Sequence, residues 1–162
     1  MSKRPNLKSP AILLATWFGS GLIKPAPGTW GSLAAIPPAI AIMHFAGFWP
    51  FVIALIILTP IAFWATASYE KASNSHDAKE IVIDEVIGQW IALLPVFYLS
   101  ALNWPLIVLA FVLFRIFDIL KPWPICHFDR NVKGANGVML DDIVAGIFAS
   151  IIVTGAFYAG IG

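Results

Sequence analysis

Charge is what this chain has least of. Asp, Glu, Lys and Arg make up 12% of its 162 residues, whereas 59% are hydrophobic. Water-soluble domains carry about 25% charged residues. No charge at all falls between Lys24 and Glu70, or between Glu85 and Arg115. Such stretches suit helices of about 20 residues, the length that crosses a bilayer. An ordinary soluble domain is thereby excluded, and an all-α polytopic membrane protein is expected. Cysteine is nearly absent: Cys126 alone excludes an internal disulfide and argues against a zinc cluster. The basic opening "MSKRPNLKSP" leads into "AILLATWFGSGLI" with no small-residue cleavage site, so no removable signal peptide is expected. Several catalytic signatures are missing as well. Residue 132 is Val, which removes the Cys-x5-Arg spacing of thiolate phosphatases. Neither a Gly-x-Ser-x-Gly elbow nor paired histidines for a phosphohistidine route occurs. The carboxylate–glycine spacing of the CDP-alcohol phosphotransferases is also lacking.

What is present is a set of apolar runs broken at short polar points. "GFWP" (47–50) divides the first uncharged stretch into spans near 29–47 and 50–69, with Pro37 and Pro38 expected to kink the first. "NWP" (103–105) divides the second into spans near 85–102 and 105–120. A loop from Lys121 to Leu140 and a last span from about Asp142 to Ile161 complete the chain. Residues 11–23 are too short and Gly-broken to cross. The expectation is therefore about five transmembrane helices plus a short N-terminal re-entrant or interfacial helix. All belong to a single domain over residues 1–162, with 1–10 as a basic cytoplasmic tail.

The few charges are distributed unevenly. Nine of the ten Lys and Arg residues lie in the N-terminus, in 70–80 and in 121–133, and none lies at the breaks near 47–50 and 103–105. The positive-inside rule places the charged segments in the cytoplasm, leaving Trp49 and Trp104 at the outer interface and Trp90 and Trp123 toward the inner one. All nine acidic residues map to the same inner side. Loop solubility does not require that, so a polar site at the cytoplasmic membrane surface is expected.

Three groups compose it. "DEVIGQW" opens one span with Asp84 and Glu85, and "DDIVAG" opens the last with Asp141 and Asp142. Helix capping would account for either pair alone. Two pairs at equal depth, joined by Asp118, suit a hard oxygen-liganded cation, Mg2+ or Mn2+. In "RIFDILKPWP" (115–124), Arg115, Asp118 and Lys121 stand three apart along one helix face. The plain reading is an intrahelical ion-pair series with Lys121 snorkelling. The functional one gives Asp118 to the metal and Arg115 and Lys121 to a phosphate. "PAPGTWGS" (25–32) adds Lys24, Thr29 and Ser32 at a helix start that could bind an anion, and "RNVKGANG" (130–137) adds Arg130 and Lys133. His76 and Asp77 could join from the 70–80 loop; His44 reads as structural.

"PGTWGSLAAIP", "DEVIGQW", "FRIFDILKPWPI" and "FDRNVKGANGVMLDDIVAG", in this order, resemble the bacterial phosphatidylglycerophosphatase A family from about Leu14 to Gly146. Ala135 stands where the family pattern has a second glycine. The resemblance implies a Mg2+-dependent lipid phosphatase of the inner membrane, acting on phosphatidylglycerophosphate and having no nucleic-acid partner. Asp84, Glu85, Asp118, Asp141 and Asp142 would then supply metal ligands, with Asp142 or Glu85 as the general base and Asp141 beside them. Lys24, Thr29, Arg115, Lys121, Arg130 and Lys133 would meet the phosphates. A small transporter for a cation or anionic metabolite is the alternative, since charged groups near broken helices also serve transport.

Overall fold

The computed structural model describes residues 6–74, 78–100 and 102–161. They form seven α-helices, one 3-10 turn and no strand. The short α1 (Pro10–Ala15) and the turn at Ser20–Leu22 precede α2 (Pro27–Ala46) and α3 (Phe48–Ser73), which only Gly47 separates. α4 (Ile83–Ser100) and α5 (Trp104–Leu120) form a second hairpin, and α6 (Ile125–Asn131) leads into α7 (Ala135–Tyr158). By length and composition, α2, α3 and α7 are able to cross a membrane. Their outer surfaces agree. Ile53, Ile56, Ile57, Ile61 and Trp64 of α3 and Ile147, Ile151 and Ile152 of α7 are exposed. Apolar stripes of this size would drive aggregation in water; in hydrocarbon they are an ordinary surface. This is a membrane protein.

α4 is the central element, packed against α2, α3, α5 and above all α7. Val86, Ile87, Leu93 and Val96 are fully buried. Trp90 is buried too, and its indole Nε1 donates to the Ala35 carbonyl of α2 at 2.9 Å. Burial and a satisfied donor make it an internal tie between helices. Trp123, by contrast, is well exposed, as are Trp49 and Trp104 at the other end of the bundle.

The α4–α7 crossing is made by glycine. A Cβ on Gly146 would strike the Gly88 carbonyl oxygen, and one on Gly88 would come within 2.7 Å of the Asp142 carbonyl oxygen and strike the Phe114 ring. Hydrocarbon supplies no hydrophobic drive between helices, so small residues that let backbones touch provide the packing instead. Ser150 adds a hydrogen bond from its hydroxyl to the Ile91 carbonyl at 2.7 Å.

Several expected boundaries move. The loop expected over residues 121–140 contains α6, and α7 starts at Ala135 rather than near Asp142. The glycine-rich run is helical because Gly137 lets the first turn of α7 lie against the Val132 carbonyl. α2 runs through Pro37 and Pro38 as one helix. α1 buries Ala11, Ile12 and Ala15 and packs on α3, and the Ala15 carbonyl accepts from the Val82 amide at 2.9 Å.

Candidate active site

The Gly88–Gly146 contact determines what stands one turn away. Asp84 and Glu85 precede Gly88 by four and three residues, and Asp142 precedes Gly146 by four. At helical spacing they lie on the faces that meet. Carboxylate oxygens from Asp84, Glu85 and Asp142 accordingly fall within 4.8 Å of one another. Asp84 and Asp142 are buried. Gly28 of α2 closes the group from the side: a Cβ there would strike Glu85 Oε1 and come within 3.3 Å of an Arg115 nitrogen.

Capping does not account for these carboxylates. Asp141 and Asp142 lie nearly two turns inside α7, beyond the last free amides of its N-terminus. Asp84 and Glu85 are in the first turn of α4, yet Asp84 Oδ1 and Glu85 Oε2 are buried without a hydrogen-bond partner among the described residues. Two ionised carboxylates about 5 Å apart repel by roughly 3 kcal/mol at an effective dielectric of about 20. Buried acceptors without donors, in an all-oxygen set, fit a hard divalent cation.

Around the cluster stand the cations. Arg115 Nη1 lies 2.5 Å from Asp118 Oδ2, 3.2 Å from the Ser32 hydroxyl and 4.0 Å from Glu85 Oε1. Lys121 Nζ pairs with Asp141 Oδ2 at 2.6 Å, and Asp141 Oδ1 accepts the Asp142 backbone N–H at 3.0 Å. The expected stripe is thus half right. Arg115 and Asp118 do pair along α5, but the helix ends at Leu120. Lys121 takes a left-handed conformation, with φ 44°, and reaches across to α7 instead of snorkelling.

The carboxylates and cations face one cavity of about 730 Å³, whose lining includes Asp84, Glu85, Arg115, Asp118, Lys121, Arg130, Lys133, Asp141 and Asp142. Asp118 and Asp141, expected as further metal ligands, stand outside the three-carboxylate set and are held by Arg115 and Lys121. Lys24 lines a smaller adjoining hollow that shares Pro27 and Lys79 with the main cavity. Thr29 lines neither, because it lies one residue, about 100° of helix rotation, past Gly28. His76 and Asp77 lie outside the described residues. Sequence reasoning missed Glu70 and Lys79, which also line the cavity. Glu70 arrives there because α3 continues to Ser73. Their one sequence signal was membership in the charged segment 70–80.

Residues 13–157 match the family model described as phosphatidylglycerophosphatase A. The chain is 42% identical over 150 residues to phosphatidylglycerophosphatase A of Escherichia coli, covering 91% of this chain and 83% of the relative. It is 40% identical over 151 residues to phosphatidylglycerophosphatase A of Haemophilus influenzae, covering 93% and 91%. A Bacteroides thetaiotaomicron protein that carries a provisional phosphatidylinositol-3-phosphatase name is 37% identical over 155 residues, covering 93% and 94%. No solved structure matches. The family model and the curated relatives match over nearly the whole chain, and they lead to one conclusion: this protein belongs to the phosphatidylglycerophosphatase A family and is a phosphoric monoester hydrolase.

Proposed function

We propose that the protein removes the terminal phosphate of phosphatidylglycerophosphate, giving phosphatidylglycerol and inorganic phosphate, with Mg2+ as cofactor. The observation that carries this reading is the buried Asp84–Glu85–Asp142 cluster, with acceptor oxygens lacking donors, beneath Arg115, Lys121, Arg130 and Lys133 in one cavity. Bound among those three carboxylates, Mg2+ would supply positive charge to the phosphate oxygens and activate a water.

The chain's own side chains do the rest. Arg115 and Lys121 neutralise phosphate oxygens as charge shifts in the transition state. Arg130 and Lys133, exposed at the cavity rim, receive the second phosphate of the head group. Asp142 or Glu85 takes the proton from water as its oxygen bonds to phosphorus and the ester P–O bond breaks. The leaving glycerol oxygen then takes up a proton. Asp118 and Asp141 hold Arg115 and Lys121 in place.

α4 and α5, with 18 and 17 residues, also cross, which makes five spans. The cavity then lies at the cytoplasmic face of the bacterial inner membrane, where the positive charge collects. Lipid tails remain in the leaflet while the phosphates reach the cavity. Transport is disfavoured by the glycine contact that joins α4 to α7 directly below the carboxylates.

Phosphate release from phosphatidylglycerophosphate by the detergent-purified protein tests the reading. Release that needs Mg2+, stops with EDTA and falls at least about 100-fold in Asp142→Asn is expected. Release that survives EDTA would remove the metal from the reading. Faster release from a phosphoinositide monoester than from phosphatidylglycerophosphate would change the substrate.

A further inference from the structure

The faces of α2 and α5 that build the cavity do not end with it. On α2, Gly28 and Ser32 are followed at four-residue steps by Ile36, Ile40 and His44. On α5, Ile119 and Arg115 continue backward through Phe111 and Val108 to Trp104, all close to helical spacing. Between these two faces lies a second, almost wholly apolar groove of about 600 Å³, lined among others by Leu33, Ile36, Ile40, Val108 and Phe111. α2 and α5 pack little against each other, so the seam stays open. The Arg115–Ser32 hydrogen bond at 3.2 Å spans the same two helices. Polar lining is confined to the far end, at His44 and Trp104.

We propose that this groove is an acyl-chain site: it holds one tail of the lipid whose phosphate is cleaved above it. The inference rests on the lipid phosphatase reading and adds a determinant of substrate length to it. The shared helix is the reason for choosing the substrate's own tail over a second copy of the chain: Arg115 lines the cavity, and Phe111, one turn away on α5, lines the groove. Ile36 stands about 12 Å along α2 from Gly28, and Phe111 about 6 Å along α5 from Arg115. Both fall within the roughly 15 Å of hydrocarbon in one leaflet. A tail anchored there fixes the glycerol beside Arg115, and binding energy from a part of the substrate remote from the reaction then orients the phosphate.

Two measurements test it. Steady-state kinetics would compare dipalmitoyl- and dihexanoyl-phosphatidylglycerophosphate at equal mole fraction in mixed micelles, with wild type and Ile36→Trp. Filling the groove should raise KM about tenfold or more for the long-chain lipid while leaving kcat/KM for the short-chain lipid within about twofold. Equal losses on both lipids, or no loss on either, would overturn the groove. A phosphatidylglycerophosphate with a diazirine at mid-chain supplies the second readout, independent of turnover. Labelled peptides should come from residues 33–40 and 108–111, and excess unlabelled long-chain substrate should remove the label. Labelling spread evenly over the outer faces of α3 and α7, or not competed, would mean bulk lipid. Wild type that releases no phosphate from either lipid would overturn the phosphatase reading and this inference together; the other adverse results overturn the groove alone.

Discussion

At the scale of single residues, Asp84, Glu85 and Asp142 are a liability without a cation. Their carboxylates crowd within 4.8 Å, and Asp84 Oδ1 and Glu85 Oε2 have no donor among the described residues. Removing one charge should therefore help the metal-free fold and abolish its response to metal. Asp84→Asn in EDTA is expected to unfold at or above the wild-type temperature in detergent. Millimolar Mg2+ should raise the midpoint of wild type and leave the variant unchanged, since only a ligand that binds the folded state shifts it. A variant that melts well below wild type in EDTA would assign Asp84 a packing role. The sequence made the acidic pairs visible, because two carboxylates at the same depth on two spans are hard to explain otherwise. It did not reveal which oxygens converge. Asp118 and Asp141 look equivalent to the other three in one dimension, and only the left-handed turn at Lys121 commits that lysine to Asp141.

At the scale of elements, the site depends on a helix contact with no side chains in it. Gly88 and Gly146 bring α4 and α7 to backbone distance, and a methyl group on either meets backbone or the Phe114 ring. Gly146→Ala is expected to destabilise by about 1–3 kcal/mol, the usual cost of overpacking. By moving Asp142 relative to Glu85 it should also lower kcat about 100-fold, as a 1 Å misplacement can. Gly155→Ala, on the same helix with open space around it, is the control: activity should stay within twofold. Equal effects at both positions would mean that the α4–α7 contact does not set the site. Helix existence was legible from the apolar runs and their breaks, and α2 to α5 lie close to their expected places. The start of α7 was not. Glycine, asparagine and charge over 130–137 read as loop, yet the lost helix propensity is offset where Gly137 packs on the Val132 carbonyl. Propensity is a weak guide wherever a close tertiary contact decides.

For the whole molecule, the governing fact is that one end carries the charge and the other almost none. The cavity, its cations and the α1 segment share an end with residues 74 and 121–134, while Gly47, Asn103 and Gly160 follow or precede helices that point away. That asymmetry was fully readable in sequence, because burying a charge in hydrocarbon is expensive whatever the fold. The number of crossings was less readable: α5, with 17 residues, is at the short limit for a span. Cysteine labelling in intact and lysed cells resolves it. In a Cys126→Ser background, Asn103→Cys and Gly160→Cys are expected to react with a membrane-impermeant maleimide in spheroplasts. Asn74→Cys, and Cys126 of the otherwise native chain, should react only after lysis. Five crossings require this alternation, since α4 must carry the chain out and α5 must return it. Asn103→Cys reacting only after lysis would leave α4 and α5 as a hairpin inserted from the inner face. The groove between α2 and α5 would then lose its place in the leaflet, and the acyl-chain site would fail with it.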